Sequence, residues 1–368
     1  MKPVLFVTGH APAYRVGAFE CLHAREGIEL ALFGGRFRHA GPGSAAQLAI
    51  PHRHVRPHRL ARLAASRDYR AVVCPTGGRA APLASWAGAR RAGVPVILWA
   101  SLWAHPRTAA HAFTYLPLRR LYRSADSVVT YGPHVSAYVR ARGARNVHIA
   151  PQSVDNDFWS APAPAAPDVA GRTPGAETRF LFVGRPAREK GLAVLLRAWS
   201  EAALAPGAAL LLVGVGPELP PAACSSAGGR RARSDGVVCL ERVGADELRS
   251  LYAACDALVL PSIPTHAFRE PWGLVVNEAM NRGLPVIASD AVGAAAGGLV
   301  RDGVNGLVVP AGDPEALARA MQRLAGDASL RTRLGSAGAH DVRAFSHAAW
   351  AAGFSKAFLT VGVARERW

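Results

Sequence analysis

Short apolar, β-branched-rich runs alternating with helical stretches fix the fold class of this chain. "PVLFVTG" leads into "VGAFECLHARE", "AVVCPTGG" into "APLASWAGARRAG", and "SVVTYG" into "VSAYVRARG", with "IELALFGG", "VPVILWAS" and "VHIAPQSV" as further strands. Strand–helix alternation of this kind builds βαβ units on a parallel sheet. The pattern stops at residues 161–178, "APAPAAPDVAGRTPGAET", where Pro, Ala and Gly follow no apolar period. It then restarts with "RFLFVG", "GLAVLLRAWSEA", "AALLLVG", "GVVCLERV", "ADELRSLYAAC", "ALVLPS", "PVIASD", "GLVVP" and "DPEALARAMQRLAG". A chain of 368 residues exceeds one ordinary core. The expected organisation is an N-terminal Rossmann-like domain over 1–160, a linker over 161–178 and a C-terminal Rossmann-like domain over 179–345. A last helix in 346–368 has no strand to precede and is expected to pack back on the first domain. Ligands of open parallel sheets bind beyond the carboxyl ends of the strands, and a cleft between two such domains is the expected place for a site.

No stretch of about 18 apolar residues marks a membrane span, and "MKPVLFVTGH" reads as a first strand and not as a secretory leader. Five scattered cysteines without a CxxC pair suggest neither a disulfide framework nor zinc, and a cytoplasmic setting fits. The net charge is +17, and all but three of the 43 basic residues are arginine. Genome base composition accounts for such a bias as readily as function does. Otherwise the field favours anionic partners: nucleotide phosphates, an acidic membrane face or nucleic acid. No helix-turn-helix, zinc-finger or RNP pattern accompanies the charge, so specific nucleic-acid binding is not expected.

The stretch "REPWGLVVNEAMNRGLPVIASD", residues 269–290, sets Glu270 and Glu278 at the edges of an apolar run. Pro271 is suited to a first helical position, which predicts a helix from Pro271 to Arg282 ended by Gly283. Eight residues of helix place the two acids two turns apart and on similar sides. A buried carboxylate needs donors. Sugar and ribose hydroxyls would serve, and the free amides of Trp272, Gly273 and Leu274 would suit a phosphate. Glu270 as a cap and Glu278 paired with an arginine is the plainer alternative.

These residues, with "GLPVIASD", "DGVNGLVV" and "FLFVGRPAREKGLAVLLRAW", resemble the donor-binding half of the GT-B glycosyltransferases of family 4. That resemblance implies two Rossmann-like domains with parallel sheets facing across a cleft. It also implies retaining transfer of a sugar from a nucleotide diphosphate, UDP or GDP, without a catalytic metal. Carried over, it implies that Glu270 bonds the transferred sugar and Glu278 the ribose. The backbone from Trp272 through Gly273 and Leu274 to Val275 would hold the distal phosphate, and Gly184, Arg185 and Lys190 would lie along the diphosphate. "ERV" at 241–243 falls where the family sets a loop against the base. In the first domain, Gly9 in "TGHAPAYRVGAF" is a candidate donor contact, although the Gly-Gly pair common in the family is missing. Arg15 and His266 are candidate acceptor contacts, and His105 in "LWASLWAHPR" stands where the family often has a histidine near the reacting sugar. "DND" at 155–157 is not taken as a metal motif, since no other carboxylate or His/Cys cluster supports it.

The acceptor the resemblance implies is a hydroxyl or amine, with a glycan, a lipid-linked molecule and a natural product all left open. Basic segments 56–70 and 107–123 have interleaved apolar residues. They are read as helices with solvated arginines, with contact to the inner membrane face as the second reading. A nucleotide-sugar epimerase or hydrolase on the same scaffold, and a non-catalytic basic binding protein, are the rival functions.

Overall fold

The computed structural model describes residues 1–34, 48–78, 80–163, 169–216 and 236–365. It divides into two compact units, Met1–Asp155 with Phe345–Trp368, and Asn156–Ala344. In the first unit the strands are β1 (Val4–Thr8), β2 (Ile28–Leu32), β3 (His52–His54), β4 (Ala71–Pro75), β5 (Val96–Ala100), β6 (Ser127–Thr130) and β7 (Val147–Ile149). Its helices are α1 (Ala13–Glu26), α2 (Leu60–Ala64), α3 (Ala81–Ala92), α4 (Ala109–Ser124) and α5 (Pro133–Arg140). The sheet is parallel in the order β3-β2-β1-β4-β5-β6-β7. Every residue of β1 and β4 is buried. Parallel strands covered on both faces read as unbroken apolar runs for this reason. The exposed edge strand β3, His-Arg-His, has no such run and gave no strand signal.

The second unit starts with α6 (Asn156–Ser160) and α7 (Val169–Arg172). The expected boundary at 160 therefore moves to 155, and the Pro/Ala stretch contains a helical turn instead of being linker throughout. Its strands are β8 (Thr178–Val183), β9 (Ala208–Val213), β10 (Val237–Leu240), β11 (Ala257–Leu260), β12 (Val286–Ser289) and β13 (Gly306–Val309), in the parallel order β10-β9-β8-β11-β12-β13. Helices α8 (Leu192–Ala202), α9 (Ala245–Ala254), α10 (Val275–Asn281), α11 (Gly293–Ala296), α12 (Pro314–Gly326) and α13 (Ala328–Asp341) follow. The chain runs from β8 outward to β9 and β10, then returns to β11 on the other side of β8. The β8/β11 gap is therefore the switch point of this sheet.

Helix α14 (His347–Thr360) returns to the first unit and packs along α1 and β7. Its Trp350 is fully buried, with ring centroids 5.6 Å from Phe19, 5.8 Å from Trp99 and 4.5 Å from Phe354. Close approach explains Gly353, because a Cβ there would sit 2.3 Å from the carbonyl oxygen of Ile149. Among the described residues no helix is long and apolar enough to cross a membrane. Cys21, Cys74 and Cys255 are free thiols, whereas Cys239 in β10 is disulfide-bonded, a bond the scattered spacing did not suggest.

Truncating Trp350 to Ala should leave a large cavity under α14 and cost about 3–5 kcal/mol of stability. Chemical denaturation followed by circular dichroism measures this. An unchanged midpoint would mean α14 contributes little to the first core.

Candidate active site

The site is built where three strands of the second sheet end. After β8 the chain makes a tight turn, Arg188–Lys190, closed by Gly191 with φ +70°. A Cβ on Gly191 would lie 1.9 Å from the carbonyl oxygen of Pro261, just past β11. Glycine alone lets the two loops touch, and the amide of Ile263 seals the contact by donating to the Glu189 carbonyl at 2.9 Å. The consequence is that Lys190 crosses the switch point. Its Nζ donates to Glu270 Oε2 at 2.6 Å, in a pair whose side chains are 17% and 9% exposed. Ser262 Oγ donates to the same oxygen at 3.3 Å. Ser289, at the end of β12, holds the Ser262 carbonyl through its hydroxyl. Glu270 is thus buried, charge-compensated and fixed from three strand ends. The two serines, 27 residues apart, gave no sequence signal.

The expected helix from Pro271 is shorter than predicted. Gly273 has φ +92°, a left-handed value that ends any helical path from Pro271, and α10 begins only at Val275. Glu270 is five residues ahead of the helix, not at its mouth. Trp272 is buried and its indole donates to Asn277 Oδ1 at 2.8 Å. The first-turn amides of α10 therefore belong to residues around Leu274 and Val275 instead of to Trp272 onward. Glu278 lies in the first turn of α10 and accepts from the hydroxyl of Tyr252, on α9, at 2.8 Å. Burial pushes the Glu278 carboxyl up to about 7, opposed by the Tyr252 hydrogen bond. Tyr252 in turn is raised well above its usual range by burial and by that carboxylate. The described partner of Glu278 is thus a tyrosine and not an arginine.

Arg185 is more than half exposed and pairs with Glu189 at 3.3 Å. It lines a cavity of about 480 Å³ with Pro186, Ala187, Val215, Glu241 and Arg242. This cavity lies at the ends of β8, β9 and β10, so the "ERV" stretch does border it. Gly184 directly precedes Arg185, and a Cβ on it would lie 3.1 Å from the Phe182 ring. His266 is exposed, in a turn closed by hydrogen bonds between Thr265 and Phe268.

In the first unit the predicted residues each have their own partners. Gly9 follows β1 and its carbonyl accepts from Gly34. A Cβ there would meet Phe33 at an ordinary 3.8 Å, so space does not demand glycine. Arg15 is 3% exposed, donates to Gln152 and lies within 5.5 Å of the Tyr14, Trp99 and Trp350 rings. It is built into the core and not set on an open surface. His105 follows β5. Its Nε2 lies 2.9 Å from the His111 carbonyl and its Nδ1 3.4 Å from the Tyr138 hydroxyl. A carbonyl only accepts, so Nε2 carries the proton and Nδ1 is the acceptor in the neutral ring. Segment 107–123 includes most of α4, where Phe113 (84% exposed), Leu116, Arg120 and Arg123 share one solvent-facing stripe. No group of three or more His, Cys, Asp or Glu side chains among the described residues could hold a metal, Asp155 and Asp157 included.

A sequence profile of the family described as Glycosyl transferases group 1 matches residues 177–327, a range that contains the Lys190–Glu270 site. Residues 177–327 are thus similar in sequence to the group 1 glycosyltransferases. A D-inositol 3-phosphate glycosyltransferase of Streptomyces bingchenggensis is 43% identical over 103 residues, 27% of this chain and 20% of that protein. The lipopolysaccharide core biosynthesis glycosyltransferase LpsE of Rhizobium meliloti is 31% identical over 221 residues, 59% of each. The chain thus matches only part of the length of these relatives. Among solved structures, Anabaena HepE in complex with UDP and glucose superposes with TM-score 0.74 at 18% identity, over 98% of this chain and 100% of that one. Sucrose-phosphate synthase from Thermosynechococcus elongatus gives 0.70 at 22%, over 98% and 99%. These likenesses bear out the expected fold of two parallel-sheet, Rossmann-like units.

The raised Glu278 carboxyl makes a pH prediction. Its folded value near 7 exceeds its ordinary value of 4.5. The native state therefore holds the proton where the unfolded chain has lost it, and stability falls as pH rises from about 4.5 to 7. Glu278→Gln should flatten that part of the melting-temperature profile. An identical slope in both proteins would contradict the burial of this group.

Proposed function

We propose that this chain is a retaining glycosyltransferase that moves a sugar from a nucleotide diphosphate to an acceptor hydroxyl or amine. The observation that carries the reading is the buried Lys190–Glu270 pair at the switch point of the second sheet. The pair holds one cation and one acceptor group at adjacent points, which is what a sugar diphosphate requires. Lys190 would move to the diphosphate and Glu270 to hydroxyls of the sugar. Glu278 would take the ribose, with Arg185 along the diphosphate and the base in the cavity bordered by Glu241 and Arg242. A volume of about 480 Å³ is within the usual range for small-molecule sites.

In the reaction the bond from the anomeric carbon to the distal phosphate oxygen breaks, and a bond to the acceptor oxygen or nitrogen forms on the same face. The acceptor's proton passes to the departing phosphate. Charge develops on that phosphate, and fixed cations lower the barrier by stabilising it there. Glu270 reads hydroxyls in this scheme and attacks nothing. Glycosidases instead use two carboxyl groups flanking one bond, and here Glu270 and Glu278 are held by different partners, Lys190 and Tyr252. The part of the chain shared with the group 1 glycosyltransferases supports the donor assignment. The Anabaena structures solved with UDP and with UDP-glucose favour UDP as the nucleotide.

A thermal-shift panel of UDP, GDP, ADP and TDP should stabilise the chain most with UDP. Lys190→Ala should lower kcat/KM for the donor about 10²–10³-fold, the usual effect of removing one fixed donor to a developing charge. Full activity in that variant, or no nucleotide diphosphate in the panel binding, would refute the assignment.

A further inference from the structure

The first unit contains a second cavity, of about 760 Å³, whose lining includes Trp103, His105, Arg107, Tyr115, Tyr138 and Arg142. The roles argued so far use none of these residues except His105. The wall combines three aromatic rings with two guanidinium groups, and no carboxylate is part of it. Arg142 is the unusual member. Its guanidinium lies 3.5 Å from the centre of the Tyr138 ring and 5.7 Å from that of Tyr115. One nitrogen donates to the Tyr138 carbonyl at 3.0 Å, while Nε is buried without a hydrogen-bond partner. Among the described residues it forms no ion pair with any acid, although arginines elsewhere in the unit do, Arg70 with Glu26 at 3.1 Å for one. Stacking fixes the guanidinium plane but leaves its charge uncompensated. A partly buried cation without a counter-charge is costly unless a ligand supplies one.

We propose that this cavity binds a phosphorylated sugar or polyol, with the phosphate on Arg142 and Arg107 and the ring against Tyr115, Tyr138 and Trp103. Arginine suits phosphate through paired, planar donors. Aromatic faces suit the apolar face of a sugar ring. His105, held by the His111 carbonyl on Nε2 and by the Tyr138 hydroxyl on Nδ1, fixes the edge of the Tyr138 ring. Within the transferase reading, on which this identification rests, the occupant is the acceptor and the cavity selects acceptors that carry a phosphate ester. The binding itself does not depend on that reading.

The experiment is isothermal titration of the full chain with glucose 6-phosphate and with inositol phosphate, against glucose and inositol, without any nucleotide. The phosphorylated ligands should bind at least tenfold tighter than their parents. Arg142→Gln should remove most of that preference, and Arg107→Gln, at an exposed position, should reduce it without risk to packing. UDP affinity should be unchanged in both variants. No preference for the phosphorylated forms, or a preference that survives both substitutions, overturns the proposal. An equal loss of UDP binding assigns the cavity to the donor and also overturns it. If UDP fails to bind at all while sugar phosphate binds through Arg142, the transferase reading fails and this one stands. Sedimentation with phosphatidylinositol phosphate vesicles then tells a lipid-borne ligand from a free one. Capture that Arg142→Gln abolishes places the phosphate on a lipid, and lack of capture leaves the soluble sugar phosphate as the ligand.

Discussion

The second unit depends on one contact, the ion pair between Lys190 and Glu270 across the β8/β11 switch point. Taking two charges out of water is expensive, and a buried pair often stabilises a protein no better than apolar residues of the same size would. This pair is nevertheless supported from three directions: by Ser262 on the carboxylate, by Ser289 on the Ser262 backbone, and by the Gly191–Pro261 contact beneath the lysine. Such scaffolding around an interaction of small net stability is what a binding site requires. In the proposed function the pair holds its place when no donor is bound, with the lysine standing where a phosphate will take its charge.

The chain supports that arrangement with backbone geometry more than with side chains. Parallel strands deliver their carboxyl ends to one edge, so Lys190, Ser262 and Ser289 meet although they are far apart in sequence. Positive φ at Gly191 and Gly273 shapes the two loops that carry Lys190 and Glu270. Glu278 is held differently, by a tyrosine and by burial, and its proton equilibrium lies near neutrality as a result. The two acids of the same short stretch thus have opposite settings: one is compensated by a cation, the other is partly neutralised.

Much of this was legible in the sequence, and for identifiable reasons. Unbroken apolar runs such as "VLFVT" and "AALLLV" give parallel strands because both faces are covered. The apolar run between Glu270 and Glu278, and the resemblance over "FLFVGRPAREKGLAVLLRAW", singled out Glu270, Glu278 and Lys190. What stayed hidden depends on contacts between distant residues or on glycine. Pro271 suggested a helix start, but Gly273 moved it to Val275. Tyr252 is 26 residues from the carboxylate it donates to. Helix α13 was missed because its packed face is made largely of Leu330, Leu334, Gly335 and Gly338, too small and sparse to show a period. Arg15, expected as a ligand contact, lies under α14, an element whose docking the sequence only suggested.

The three lysines of the chain, Lys2, Lys190 and Lys356, make the central claim directly observable. Reductive ¹³C-methylation gives one NMR signal for each besides that of the α-amine, and Lys190→Arg assigns the one that matters. Titrating UDP into the labelled protein should shift the Lys190 signal alone, as its ammonium leaves Glu270 for the diphosphate. A Lys190 signal that stays in place while UDP saturates the protein would show that the pair is a fixture of the fold and not the seat of the donor.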